Sequence, residues 1–155
     1  MIPPESGGHT PSVEVYVHED HSLPDGVSIG ALAEIGSSAI PIVLARSREG
    51  SPLTSLAEVE VTLVSDATIA EVHVEFMGVE GATDVITFDH GEIVISTDTA
   101  AVQGKENGNS IGRETALYLI HGLLHLAGYS EKEKEAFETM ARLQEEILCR
   151  VWDGS

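Results

Sequence analysis

Apolar residues recur in two rhythms along this chain, and the switch between them marks out its elements. Residues 13–18 (VEVYVH) and 57–64 (AEVEVTLV) alternate apolar with polar, the period of a half-buried strand, with Val59, Val61 and Leu63 sharing one face. Residues 83–88 (TDVITF) and 92–96 (EIVIS) predict two more strands, and the Asp89-His90-Gly91 link is short enough for a hairpin. Helical spacing fills the intervals. Residues 28–46 predict a helix capped by Ser28 and interrupted at Gly36 and Pro41; residues 67–76 predict a shorter one capped by Ser65 or Asp66. A helical turn over 97–103 is expected to be separated by a polar break at 105–109 (KENGN) from the helix that follows. The last helix is predicted over 132–151, with Phe137, Met140, Leu143, Ile147, Leu148 and Val151 as its core stripe. Residues 48–56 read as a polar loop and residues 1–12, rich in Pro and Gly, as a loose tail. Strand and helix do not alternate strictly. The expected architecture is therefore one α+β domain over 13–152, a mixed sheet of about four strands covered by helices.

One helical segment carries chemistry. Residues 116–129 (ALYLIHGLLHLAGY) are almost wholly apolar, yet hold His121 and His125 four apart, one above the other on a single helix face. Imidazoles in so apolar a setting need partners for their ring nitrogens. Two core histidines bonded to carbonyls would satisfy this, and so would one metal ion shared between them. Gly128 stands where a left-handed cap ends such a helix, and the turn through Tyr129 and Ser130 brings Glu131 within reach of both rings. Two histidines and one carboxylate leave a fourth position free, the mark of a catalytic zinc site. The competing role for Glu131 is a solvent-facing residue at a helix N-terminus, where negative charge is favourable.

Charge complicates this picture. Twenty-six acidic residues against eight basic ones give a net charge of −18, and the basic residues do not cluster beyond Arg46/Arg48 and Lys132/Lys134. Proteins that grip nucleic acid unaided do so through a basic face, because counterion release supplies most of the affinity. Tight autonomous RNA binding is thus not expected. Approach to RNA through a basic protein partner, or through a metal in a locally neutral cleft, remains open. Cys149 is the only cysteine, so neither an internal disulfide nor a thiolate-rich zinc site is possible. No run approaches the length of a membrane span, and residues 1–12 lack the features of a secretory signal, so the expected compartment is the cytoplasm.

His121-Gly122-Leu123-Leu124-His125-Leu126-Ala127-Gly128-Tyr129 resembles the signature of the YbeY family of endoribonucleases and rRNA maturation factors. Thr83-Asp84-Val85-Ile86-Thr87-Phe88 resembles that family's "TDVLSF" strand, and Glu92-Ile93-Val94-Ile95-Ser96 its "GDIVIS" strand. Met140 falls where the family has a methionine on its last helix, and the similarity runs in register over about 61–148. The resemblance implies a zincin-like fold with one zinc ion per chain. It also implies a single-strand endoribonuclease acting in small-subunit rRNA maturation and ribosome quality control, with no role on DNA or at membranes.

The chain departs from the family pattern in ways that bear on chemistry. The motif usually ends Gly-Tyr-Asp-His, its last histidine being the third ligand; here Ser130 and Glu131 stand there, so that ligand becomes a carboxylate. The family usually has an arginine before the TDVLSF strand, and the matching residue is Met77; either Arg113 takes over its work or the chain is weak or inactive as a nuclease. His73 replaces an asparagine and Glu92 an aspartate, either of which could line the cleft, as Asp84 and Thr87 are expected to do. In HExxH metalloproteases the residue after the first histidine is the general base. Gly122 occupies that place, which argues against a peptidase and leaves His73, or Glu131 if it is not a ligand, as the proton-transfer candidates. Two further functions compete with the nuclease. One is a non-catalytic ribosome-associated factor that docks its acidic surface on a basic ribosomal protein. The other is a hydrolase of a different substrate, a peptide or a small phosphoester.

Overall fold

The computed structural model describes residues 10–152; the predicted tail therefore lies outside the described residues as far as position 9, and β1 already begins at Ser12. Four strands, β1 (Ser12–Val17), β2 (Glu58–Val64), β3 (Val85–Thr87) and β4 (Glu92–Ser96), form one sheet in the order β1-β2-β4-β3. β1, β2 and β4 run parallel and β3 antiparallel to β4, closing the expected hairpin through the Phe88 N–H to Glu92 carbonyl bond of 2.8 Å. The helices are α1 (Ile29–Ala45), α2 (Asp66–Met77), α3 (Thr97–Asn107), α4 (Ile111–Leu126) and α5 (Lys134–Val151). The mixed sheet and its helical cover are those of the α+β class.

Both sheet faces are covered, unequally. Val59, Val61, Leu63, Ile93 and Ile95 pack into the main core with Leu119, Leu123 and Leu126 of α4 and Met140, Ile147 and Leu148 of α5. A smaller core of Val64, Ile69, Ile86 and Val94 lies under α2. β4 is therefore apolar on both faces, as befits a central strand.

The expected interruptions of α1 do not occur. Pro41 sits inside the helix, and both it and Ser37, whose carbonyl it cannot bond, are exposed, so water can satisfy that carbonyl. Gly36 is a contact instead of a break: a Cβ there would meet Val13 of β1 at 2.8 Å. Nor is residues 97–103 a mere turn. Ser96 caps a full helix that runs through Lys105 and ends at Gly108 in the left-handed conformation, φ 75°, before Ser110 caps α4. A single 3-10 turn, Pro52–Ser55, interrupts the predicted polar loop and buries Leu53. In α5 the apolar stripe is core from Met140 onward, but Phe137, in the first turn of the helix, is 54% exposed.

Candidate metal centre and cleft

The site is built at the C-terminal end of α4. Tyr118, Leu119, Ile120, Gly122, Leu123, Leu124 and Leu126 are buried, which leaves the face carrying His121 and His125 as the one that opens outward. Their rings lie 4.7 Å apart, centroid to centroid. The helix then ends in a Schellman arrangement: Gly128, φ 98°, donates to the His125 carbonyl, and Tyr129 to that of Leu124, both at 3.0 Å. A side chain at Gly128 would be strained by that φ and would also meet Arg48 at 3.0 Å. The turn is pinned from outside, since the Tyr129 hydroxyl donates to the Arg46 carbonyl at 2.7 Å and the Arg48 guanidinium covers its ring at 4.5 Å.

That anchored turn delivers Glu131. Its Oε1 lies 3.1 Å from His121 Nε2 and 3.4 Å from His125 Nε2, and ligand atoms from all three residues fall within 4.8 Å of one another. Two ligands each about 2.1 Å from a tetrahedral zinc are about 3.4 Å apart, close to the two separations that Glu131 makes with the imidazoles. Burial holds the His125 imidazole below its ordinary pKa, the neighbouring His121 adds to this, and Glu131 opposes it. A histidine kept neutral is the form that ligates.

Sequence reasoning missed Gln144. Its Oε1 lies 2.9 Å from His121 Nδ1, and an amide oxygen only accepts, so Nδ1 carries the proton and Nε2 is left for a metal. A signal was present: on α5, Gln144 follows Met140 by four residues and interrupts the apolar stripe with a polar side chain. Gln144→Leu is expected to weaken zinc binding about 10- to 100-fold, the usual cost of losing such an orienting bond. Competition against a chromophoric chelator measures it, and unchanged affinity would show that packing alone orients His121.

The three residues border a cleft of about 330 Å³ whose other wall is β3 and its flanks: Met77, Thr83, Asp84, Val85, Ile86, Thr87 and Asp89. Asp84 and Thr87 thus stand where the sequence places them. Asp84 Oδ1 accepts the Val85 N–H at 2.7 Å, fixing the carboxylate at the strand's start. Among the described residues, three carboxylates and two imidazoles line the cleft, and no lysine or arginine does. The remaining candidates lie elsewhere. His73 Nδ1 is 2.9 Å from the Gly81 carbonyl, bracing the loop before β3, and the residue is not in the cleft lining. Glu92 pairs with His90 at 3.4 Å away from the cleft. Arg113 is held by Asn109 at 3.1 Å and Glu145 at 3.1 Å near the start of α4. Cys149 is exposed.

Comparison with known proteins identifies the family of the chain. The family model described as Endoribonuclease YbeY matches residues 34–151. Among curated relatives, Endoribonuclease YbeY of Desulfitobacterium hafniense (strain Y51) is 33% identical over 153 residues, spanning 86% of this chain and 93% of that one. The Moorella thermoacetica protein of the same name is 35% identical over 133 residues, spanning 74% and 85%. The Frankia casuarinae one is 33% identical over 120 residues, spanning 64% of this chain but only 59% of the longer relative. The solution structure of TM1509 from Thermotoga maritima superposes with a TM-score of 0.57 at 26% identity, covering 89% of this chain and 90% of that one. With the family model covering most of its length and both histidines in place on α4, the chain belongs to the endoribonuclease YbeY family.

Proposed function

We propose that this protein is a zinc-dependent endoribonuclease that cuts single-stranded RNA, acting in the cytoplasm on small-subunit ribosomal RNA during its maturation and quality control. The observation that carries this reading is the convergence of His121 Nε2, His125 Nε2 and Glu131 Oε1 on one point beside an open cleft, in a chain of the YbeY family. His121, His125 and Glu131 would hold the ion. Zinc there would supply Lewis-acid polarisation at the scissile phosphate or of an attacking water, and a cationic charge in a cleft whose described lining holds three carboxylates and no lysine or arginine. Gln144 fixes the His121 tautomer, and Asp84 and Thr87 present polar groups along the opposite wall. Of the two residues first suggested for proton transfer, Glu131 is used as a ligand and His73 lies outside the cleft lining; Asp84 is then the carboxylate best placed to move a proton.

The net charge of −18 favours delivery to the ribosome by a basic ribosomal protein over direct capture of RNA. No described helix is long and apolar enough to cross a membrane. The test is cleavage of a labelled single-stranded RNA by the purified protein. Chelation is expected to abolish cutting and added zinc to restore it. Cutting that proceeds at the same rate after the metal has been stripped, verified by elemental mass spectrometry, would overturn the proposal.

A further inference from the structure

The cleft has a side recess between α3, α4 and α5 that nothing described so far uses. Asp84, His121 and Glu131 line both, so the two spaces adjoin, and the recess holds about 260 Å³. One buried polar group in its wall lacks a partner. Tyr118 is 5% exposed, and among the described residues its hydroxyl makes no hydrogen bond. Burial, and then the charges of Glu114 and Asp84, push its pKa far above the ordinary phenol value, so it stays protonated as a donor. Both of those carboxylates line the same recess. Glu114 is 3% exposed and accepts from Asn107 at 3.3 Å and Asn109 at 3.0 Å. A carboxylate has lone pairs for about four donors, so Glu114 keeps capacity to accept more. Leu117 and the half-exposed Phe137 supply apolar surface.

We propose that this recess binds one unpaired, amino-bearing base (adenine, cytosine or guanine) of the RNA strand whose phosphodiester lies at the metal centre. This rests on the nuclease reading above and names how that substrate is gripped. A buried donor left unpaired carries a desolvation cost that a bound acceptor removes. Adenine, cytosine and guanine each set an acceptor beside an amino donor, so one edge can serve Tyr118 and Glu114 together. Uracil has no amino group to offer the carboxylate. Gln144, whose oxygen meets His121, also lines the recess and adds an amide nitrogen as a second donor. Phe137 gives the plane of the base a face to stack on. A space below the roughly 300 Å³ at which drug-sized pockets begin suits a single base. Other occupants fit less well. Asp84, Glu114 and Glu131 would repel a phosphate. Among the described residues only His121, His125 and Glu131 bring three ligating atoms within 4.8 Å, so the recess is not built for a second metal ion. Pairing hides these base edges, so the recess favours single strands.

The test uses zinc-loaded protein and a short oligouridine strand carrying one 2-aminopurine at successive positions, whose fluorescence falls when it stacks. One position is expected to be quenched and to bind about tenfold more tightly than the all-uridine strand. Tyr118→Phe removes only the hydroxyl. It should weaken binding of that strand about tenfold, keep the quenching and the zinc, and melt no lower than the wild type, because an unpaired buried group has been taken away. Phe137→Ala should weaken binding to a similar degree and abolish the quenching. An unsubstituted purine at the same position, which keeps the ring and drops the amino group, should lose most of the advantage over uridine. Equal affinity for all these strands in the wild type and both variants would overturn the recess while leaving cleavage, and hence the nuclease reading, intact. So would a Tyr118→Phe protein that melts lower and binds RNA as the wild type does, since the hydroxyl would then be satisfied by ordered water alone. A wild type that neither binds nor cuts any strand would defeat the nuclease reading and the recess with it, a result separable from failure of the recess alone.

Discussion

His121→Ala should leave the protein folded, stripped of zinc and without nuclease activity. The fold survives because His121 faces outward from α4, its side chain 17% exposed, and the leucines on the opposite face carry the packing. The metal does not survive, because removal leaves a two-donor site where catalytic zinc requires three protein ligands. Losing an orienting second partner already costs 10- to 100-fold, so losing a ligand should lower cleavage by more than about 100-fold. Glu131→Ala separates the possible roles of the carboxylate. As a ligand, it takes zinc and cleavage away together. If zinc stays near one per chain while cleavage is lost, Glu131 moves protons and the third ligand lies elsewhere. Glu131→His retains three donors from the same anchored turn, so it should keep the metal. Elemental mass spectrometry on all four proteins, followed by the RNA assay, decides the matter. A His121→Ala protein that retains full zinc would sink the site as described.

How much of this site the sequence disclosed depends on how local each part is. His121, His125, Gly128 and Glu131 fall within eleven residues, and helix periodicity plus one glycine turn suffices to bring them together. The facing wall is different. It exists because β3 hydrogen-bonds to β4 on the side away from β2 and meets α4, an outcome of strand order that no local pattern encodes. Gln144 was hidden for the same reason: its partner lies twenty-three residues away on another helix. His73 was singled out by a family position alone, and a position in a motif does not say which way a ring turns: this one meets the Gly81 carbonyl, outside the cleft lining. The fold class was legible because alternation and helical spacing seldom overlap here. The misplaced boundaries arose where tertiary packing overrode propensity, with Pro41 tolerated on an exposed face of α1 and Lys105 to Asn107 held helical by the Ser96 cap and the close approach of α3 to α4 at Gly104.

Gly122 is where fold and chemistry constrain each other. A Cβ there would lie 2.8 Å from Ile93 Cδ1 and 2.9 Å from Cγ2, and Ile93 is fully buried on the central strand. Helix α4 can rest this close to β4, with both histidines facing the cleft, only because position 122 has no side chain. Gly122→Ala gains about 1 kcal/mol of helix propensity and loses about 1–3 kcal/mol to overpacking, so it should be mildly destabilising. Gly122→Val adds two further methyl groups and a β-branch, and the loss should reach about 3 kcal/mol or more. For a chain of this size that lowers the melting temperature by about 6–12 °C. The double variant Gly122→Ala/Ile93→Val should recover part of the loss, because the two side chains compete for one space. Gly122→Glu, which would write the metalloprotease motif into the sequence, should give no folded protein and no peptidase: its carboxylate would be buried against Ile93 with no partner. A Gly122→Val protein melting within about 2 °C of the wild type would show that α4 and the sheet can part, and that the cleft is less rigidly set than this packing implies.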